Sequence, residues 1–298
     1  MTASPAAAFT LPVTGAFSLA ESATFGFGQR DDPDFDGVMR LAFRLDGGFE
    51  PGVGVELRQD GDQLHGLAHG VSADQVPAVA AQVARVLSVD HDATGYDLLG
   101  VGDPVVGSLM AAAPGLRPPL FYSPYEAAAW AVLSARRPAR QLARLRSRLS
   151  SAYGQAFMLA GVKLCAFPAP SVLTGIGDSP GLGGEQLNRL HGIASCAAAG
   201  RLEAARLLGL GPVAAQAELL RLPGIGPFYS QLITVRACGF TDVLPVTEPR
   251  LLGLAGQLYG LGRPATDPEL TEIAEAWRPW RTWVSVLIRA AGPRILGR

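Results

Sequence analysis

Apolar positions recur at two different periods along this chain, and the change between them divides it. Segments 9–20, 37–45 and 53–64 partly alternate apolar with polar side chains and are separated by Asp46-Gly47-Gly48 and Asp60-Gly61-Asp62. This is the pattern of antiparallel strands joined by tight turns. Val76, Val79, Ala80, Val83, Val86 and Leu87 then fall on one helical face, opened by the capping-box pattern Ser72-Ala73-Asp74-Gln75. Beyond residue 115 the period is helical. Ser123-Pro124-Tyr125-Glu126 is a helix start with Ser as cap, Pro at the first position and Glu reaching back. The almost wholly apolar run Ala127–Leu133 follows, and a helix apolar on every side belongs in the interior. Leu187, Leu190, Ile193 and Ala197 predict a helix over about 186–199 closed by Gly200, and Val213, Ala215, Leu219 and Leu220 predict one opened by Pro212. The proline-rich stretch 113–122 predicts a linker. The expected architecture is α+β: a small antiparallel sheet domain with one packed helix over 1–115, then an all-α domain over 116–298.

Composition narrows the function classes. At 17% charged and 48% hydrophobic, 298 residues form a folded chain with ample core. No apolar run reaches the roughly 18 residues of a membrane span, and Met1-Thr2-Ala3-Ser4-Pro5 lacks the basic start of a secretory signal, so a cytoplasmic protein is expected. Cys165, Cys196 and Cys238 are odd in number and far apart, which argues against a disulfide framework or a four-cysteine metal site. Asp90-His91-Asp92 are consecutive, cannot converge on one ion in regular structure, and read as a turn; His65, His69 and His191 have no companion motif. The Gly-rich loop 176–184 lacks the Gly-Lys-Ser/Thr ending of a phosphate-binding P-loop, and the acidic run Asp31–Asp36 reads as a solvated loop. The net charge of −1 conceals an asymmetry: residues 1–118 hold 6 Arg against 15 acids, while 119–298 hold 18 Arg and 1 Lys against 11 acids. The basic half has the electrostatics of a polyanion partner.

That half contains Leu222-Pro223-Gly224-Ile225-Gly226-Pro227 between two predicted helices. The glycines permit backbone geometry and close approach that a side chain forbids, Ile225 can plug the core beneath, and the second helix starts at Pro227 with unpartnered amides and a positive dipole end, where a phosphate fits. An ordinary αα-hairpin turn would use the same glycines for geometry alone. After Gly239 the chain runs through Asp242-Val243-Leu244-Pro245-Val246-Thr247-Glu248-Pro249-Arg250 into another helix. A first-turn acid facing a helix dipole, behind Thr247 as cap, is the plain reading of Glu248.

Helix, Leu-Pro-Gly-Ile-Gly, helix resembles the helix-hairpin-helix motif, and its distance to Glu248 is that at which the base-excision DNA glycosylase superfamily places an essential Asp. The segment Trp277-Arg278-Pro279-Trp280-Arg281-Thr282-Trp283 resembles the Trp-rich end of the 3-methyladenine DNA glycosylase II branch. The resemblance is weak over 9–115 and clear over 121–291. It implies a DNA repair enzyme, working as a monomer on duplex DNA with damaged bases, which flips and hydrolytically excises an alkylated base. Glu248 would be catalytic, and the hairpin at Gly224, Ile225 and Gly226 would bind DNA. Arg136 and Arg137 stand where the family carries a groove-inserting Gln segment, and with Arg140 they would also contact DNA; Arg137, Arg140, Arg144 and Arg148 share helical spacing. A solvated basic corner and a wet helix face are the alternatives for these arginines. The resemblance further implies a base pocket from Phe228, Tyr229, Leu232 and Arg289, and a sodium or potassium ion on the Leu222 and Ile225 carbonyls. No other cofactor and no iron-sulfur cluster is expected. Phe228 holds the place of the lysine of bifunctional relatives, so no abasic-site lyase activity is implied, while Leu232, Pro249 and Arg289 stand where a relative has rings. The rival expectation is a non-catalytic lesion- or structure-binding protein on the same scaffold; a protein–protein module is a third.

Overall fold

The computed structural model describes residues 6–25, 35–135, 137–177, 179 and 181–297. β1 (Ala7–Pro12), β2 (Met39–Arg44), β3 (Gly52–Asp60) and β4 (Gln63–His69) form one antiparallel sheet in the order β1-β4-β3-β2, with α1 (Leu19–Thr24) between the first two strands. The expected strand over 9–20 stops at Pro12, and Ser18 caps α1 by accepting from Glu21 N at 3.1 Å. The expected segment 53–64 proves to be β3, the Gly61 turn and the start of β4. β4 alternates in burial, but its inward positions are Leu64, Gly66 and Ala68, too weakly apolar to signal a strand. Of the acidic run, residues 31–34 lie outside the described residues.

α2 (Val76–Val86) lies on one face of the sheet, its Val79 and Val83 fully buried in a core with Leu41, Val53, Val55 and Leu57. Each such side chain contributes about 1.5–3 kcal/mol by leaving water. Its entry is the expected capping box, with Ser72 N donating to Gln75 Oε1 at 3.1 Å. α3 (Thr94–Asp97), α4 (Leu99–Gly102) and α5 (Pro104–Ala112) turn away from the sheet: Tyr96, Val106 and Leu109 share a core with Leu251, Trp277, Trp283 and Leu287. The domain boundary read at residue 115 therefore cuts through one core. The expected linker is itself stitched down, because Arg117 is fully buried and donates to the carbonyls of Thr14, Ala16, Ser88 and His91 while lying over the Phe17 and Trp283 rings.

α6 (Pro124–Ser134) is the buried spine of the second half, packed against later helices through Tyr125, Ala128, Val132 and Leu133. Ser123 accepts from Glu126 N at 3.2 Å as expected, but the Glu126 carboxylate does not reach back; it pairs with Arg146 at 3.0 Å. After α7 (Ala139–Tyr153) comes a hairpin unanticipated within the helical half, β5 (Ala156–Leu159) and β6 (Val162–Cys165). It covers the second face of the sheet, where a Cβ at Gly54 would sit 2.7 Å from the Phe157 ring and Arg44 Nε donates to Phe167 O at 2.6 Å. The chain continues through α8 (Pro170–Leu173), α9 (Gly184–Ala198), α10 (Ala204–Leu210), α11 (Pro212–Leu220), α12 (Pro227–Ala237), α13 (Pro249–Leu258), α14 (Asp267–Glu275) and α15 (Arg281–Ile295). Trp277, Trp280 and Trp283 are buried, and Pro279 lies in the turn before α15. Among the described helices none is long and apolar enough to cross a membrane.

Candidate active site

α11 and α12 form the predicted hairpin. Ile225 N donates to Leu222 O at 3.2 Å to close the turn, and Ile225 is buried beneath it. The two glycines differ in role. Gly224 has φ +79°, and a Cβ there would meet Arg189 Cδ at 2.8 Å; Gly226 is extended, with open space where its Cβ would be. Gly226 is also the N-cap of α12 and has no side chain to accept from the first turn, while Pro227 has no N–H to offer. The amides of Phe228 and Tyr229 thus have no capping partner, at the positive end of the helix.

One face of α12 carries Phe228, Gln231, Leu232 and Val235, at spacings of three and four, into a cleft of about 820 Å³. Phe25, Trp130, Ser285 and Val286 line other walls, and the opposite edge is the loop Pro245 to Leu251. That loop is fixed from behind. Asp242 receives Arg278 at 2.8 Å and Arg281 at 2.6 Å, and Thr282 bonds Val243 through both N–H and carbonyl.

The loop ends in Glu248, which lines the cleft and is itself the N-cap of α13. Thr247 is not the cap. It instead donates its N–H and its hydroxyl to Gln231 Oε1, at 3.2 and 2.5 Å, tying the loop to α12. The Glu248 carboxylate accepts from Arg250 N at 3.2 Å, from Leu251 N at 2.9 Å, and from Arg289 Nε at 2.8 Å. Its side chain keeps 19% exposure, on the cleft. The side chain that pairs with it belongs to Arg289 on α15, and only the backbone of Arg250 takes part. Burial pushes the Arg289 guanidinium below its ordinary value and the adjacent Glu248 opposes that shift. Three donors hold this carboxylate in one orientation, so it presents a fixed negative charge to the cleft.

The structure separates the other expected residues. Phe228, Leu232 and Arg289 line the cleft. Tyr229 does not: its ring packs edge-on against Trp130, 6.3 Å between centroids, and its hydroxyl bonds Ser134 Oγ at 2.9 Å, so it supports the wall from behind. Arg137 precedes α7 and donates through Nη2 to Gly181 O of the Gly-rich loop at 2.6 Å and to Gln186 Oε1 of α9 at 2.8 Å. The helical stripe therefore reduces to Arg140, Arg144 and Arg148, all exposed on α7. Arg136 lies outside the described residues. Trp130 and Phe25 were missed, the first because it sits in a run that reads as pure core, the second because no motif includes it. Gln231 was missed too, although its i+3 relation to Phe228 carried the signal. Among the described residues no group of three His, Cys, Asp or Glu side chains could hold a metal ion.

No protein-family model matches the sequence, and no curated protein matches it either. Solved structures do. A 3-methyladenine DNA glycosylase from Archaeoglobus fulgidus superposes with a TM-score of 0.80 at 19% identity, over 96% of this chain and 98% of its own. The apo form of the Clostridium acetobutylicum 8-oxoguanine glycosylase/lyase gives 0.67 at 13% identity, over 98% and 100%. The Schizosaccharomyces pombe 3-methyladenine DNA glycosylase, in complex with abasic DNA, gives 0.51 at 18% identity, over 65% and 93%. The fold is that of the helix-hairpin-helix DNA glycosylases. In this glycosylase fold the small antiparallel sheet and the helical half are both accounted for by near-complete superposition, and the cleft lies between α12, α13 and α15.

Proposed function

We propose that this protein is a monofunctional DNA glycosylase that hydrolyses the bond between the deoxyribose and a damaged, alkylated base in duplex DNA. One observation carries the reading: Glu248 faces the same aromatic-walled cleft that the hairpin's second helix lines, so a DNA anchor, a base-sized cavity and a fixed carboxylate share α12 and its neighbour. The names of two similar structures, both 3-methyladenine glycosylases, support the lesion class.

The steps follow from the groups present. The uncapped amides at the start of α12 hold a backbone phosphate, and the exposed arginines of α7 add sequence-independent attraction. An alkylated base unstacks at lower cost and enters the cleft, whose walls include the aromatic residues Phe228, Trp130 and Phe25, a setting suited to an electron-poor purine. As the C1′–N bond breaks, its electron pair leaves with the base and positive charge grows on the sugar; the oriented Glu248 carboxylate stabilises that charge. Water then bonds C1′ and passes its proton to the Glu248 carboxylate, which returns it to solvent. Phe228 offers no amine, so no Schiff base forms and the strand is not cut. The Leu222 and Ile225 carbonyls, at the closed turn, are the proposed seat of a sodium or potassium ion that would fix the hairpin against the phosphate; Leu222 O already accepts one N–H and retains its second lone pair.

One observation favours the rival, a protein that binds lesions without excising them: Glu248 already has three donors. The two readings diverge on Glu248→Gln, which removes the charge and leaves an oxygen for only one of the two capping N–H groups. Release of 3-methyladenine from alkylated duplex is expected to fall about a hundredfold or more, while affinity for an abasic-site duplex survives. Unchanged release would end the assignment of Glu248, and no release by the wild type would leave the binding protein.

A further inference from the structure

Gln231 sits on the cleft face of α12 between Phe228 and Val235 and is 8% exposed. Its carboxamide has a determined orientation, because Thr247 N–H donates to it and a backbone N–H can bond only the oxygen end. Nε2 is therefore the free end. It has no hydrogen-bond partner among the described residues, and it is not sealed from solvent. On a side chain this buried, whose residue lines the cleft, the opening it faces is the cleft. The Glu248 carboxylate across the cleft is already held by three donors, and the Thr247 and Ser285 hydroxyl hydrogens are directed at Gln231 Oε1 and Arg281 O. The Gln231 amide therefore offers the cleft a donor, which a bound base would shield from water and leave costly unless it accepts from it.

We propose that Gln231 is a specificity-determining residue: its Nε2 donates to an exocyclic oxygen of the extruded base, so that among the purines the cleft accepts, those with a carbonyl at that edge bind about tenfold more tightly than those with an amine, 3-methyladenine being a substrate of the weaker kind. This rests on the glycosylase reading for how the base arrives. An amine at the same edge would set donor against donor, forgoing one hydrogen bond, which sets a graded preference and not an exclusion. Thr247 supplies the positioning, since its two hydrogen bonds hold the amide plane.

The test measures binding of free hypoxanthine and free adenine, which carry an oxygen and an amine at the same ring position, to the full-length protein by titration calorimetry at pH 8. Gln231→Glu keeps the oxygen that Thr247 needs and replaces only the donor; Gln231→Leu removes both, and thermal melting reports whether either variant folds. The wild type is expected to prefer hypoxanthine by roughly tenfold, the size of one neutral hydrogen bond. Gln231→Glu should abolish or reverse the preference, and Gln231→Leu should bind the two bases about equally. A wild type that prefers adenine, or a Gln231→Glu protein that still prefers hypoxanthine, overturns the proposal. Free bases bind without extrusion or bond cleavage, so this outcome stands apart from base release measured in parallel on a hypoxanthine-containing duplex, which fails alone if the glycosylase reading is wrong.

Discussion

Glu248 does two jobs with one carboxylate. Its oxygens cap α13 and pair with Arg289, and the same interactions aim its charge at the cleft. The plain reading of the sequence, a helix-terminus acid, is met by this geometry, which is also the one that the proposed catalytic role requires. Arg289 separates them experimentally. With Arg289→Leu, Glu248 keeps its two backbone donors but loses its lateral hold, so base release is expected to drop about tenfold or more while the cap persists. Stability should fall by about 1–3 kcal/mol, the cost of leaving one partner of a partly buried charged hydrogen bond. Single-turnover assays alongside thermal melts check both; equal retention of activity would mean that α13 alone positions the acid.

At the scale of elements, α12 is legible almost whole in the sequence: Pro227 starts it, Gly224 needs a positive φ, and Phe228 marks its cleft face. α7 is legible in period but not in consequence. Its arginines at 140, 144 and 148 are exposed, and among the described residues none has an acidic partner, which suits a phosphate track. Replacing the three by Gln should reduce the slope of log affinity for duplex DNA against log salt by about 2 to 3, without changing discrimination between damaged and intact duplex. An unchanged slope would place α7 away from DNA. The β5–β6 hairpin was invisible because Phe157 and Leu159 bury against a sheet more than a hundred residues earlier, with Ala42, and four-residue strands carry no period of their own.

Across the whole molecule, charge and pH response follow from where the carboxylates ended up. Hydrogen bonds from Arg263 and from the Thr266 cap hold Glu269 at about 2, below its ordinary 4.5. A depressed carboxyl stabilises the fold above the unfolded value and loses that contribution as pH falls through the folded one. The cap of α14 should therefore weaken between about pH 4.5 and 2, and Glu269→Gln should flatten that part of a pH–melting curve. Glu126 runs the other way. Burial raises its carboxyl despite the Arg146 pair, so it withholds stability as pH rises above 4.5. Melts of Glu269→Gln and of Glu126→Gln across pH 2–7 check the two signs.

The sequence by itself determined what is local: helix starts at prolines and caps, the glycine that the hairpin needs, the interior helix at 124–134, and the gathering of arginine in the second half. Tertiary structure alone decided what depends on distant partners. Arg137 became a tie to the Gly-rich loop, Tyr229 a support rather than a lining residue, and residues 93–116 a layer on the tryptophan core rather than part of the sheet domain. The physical reason is range. A cap or a turn is satisfied within a few residues, whereas the direction in which a guanidinium, a phenol or an amide spends its hydrogen bonds is set by whichever unpaired carbonyl or hydroxyl the fold brings beside it.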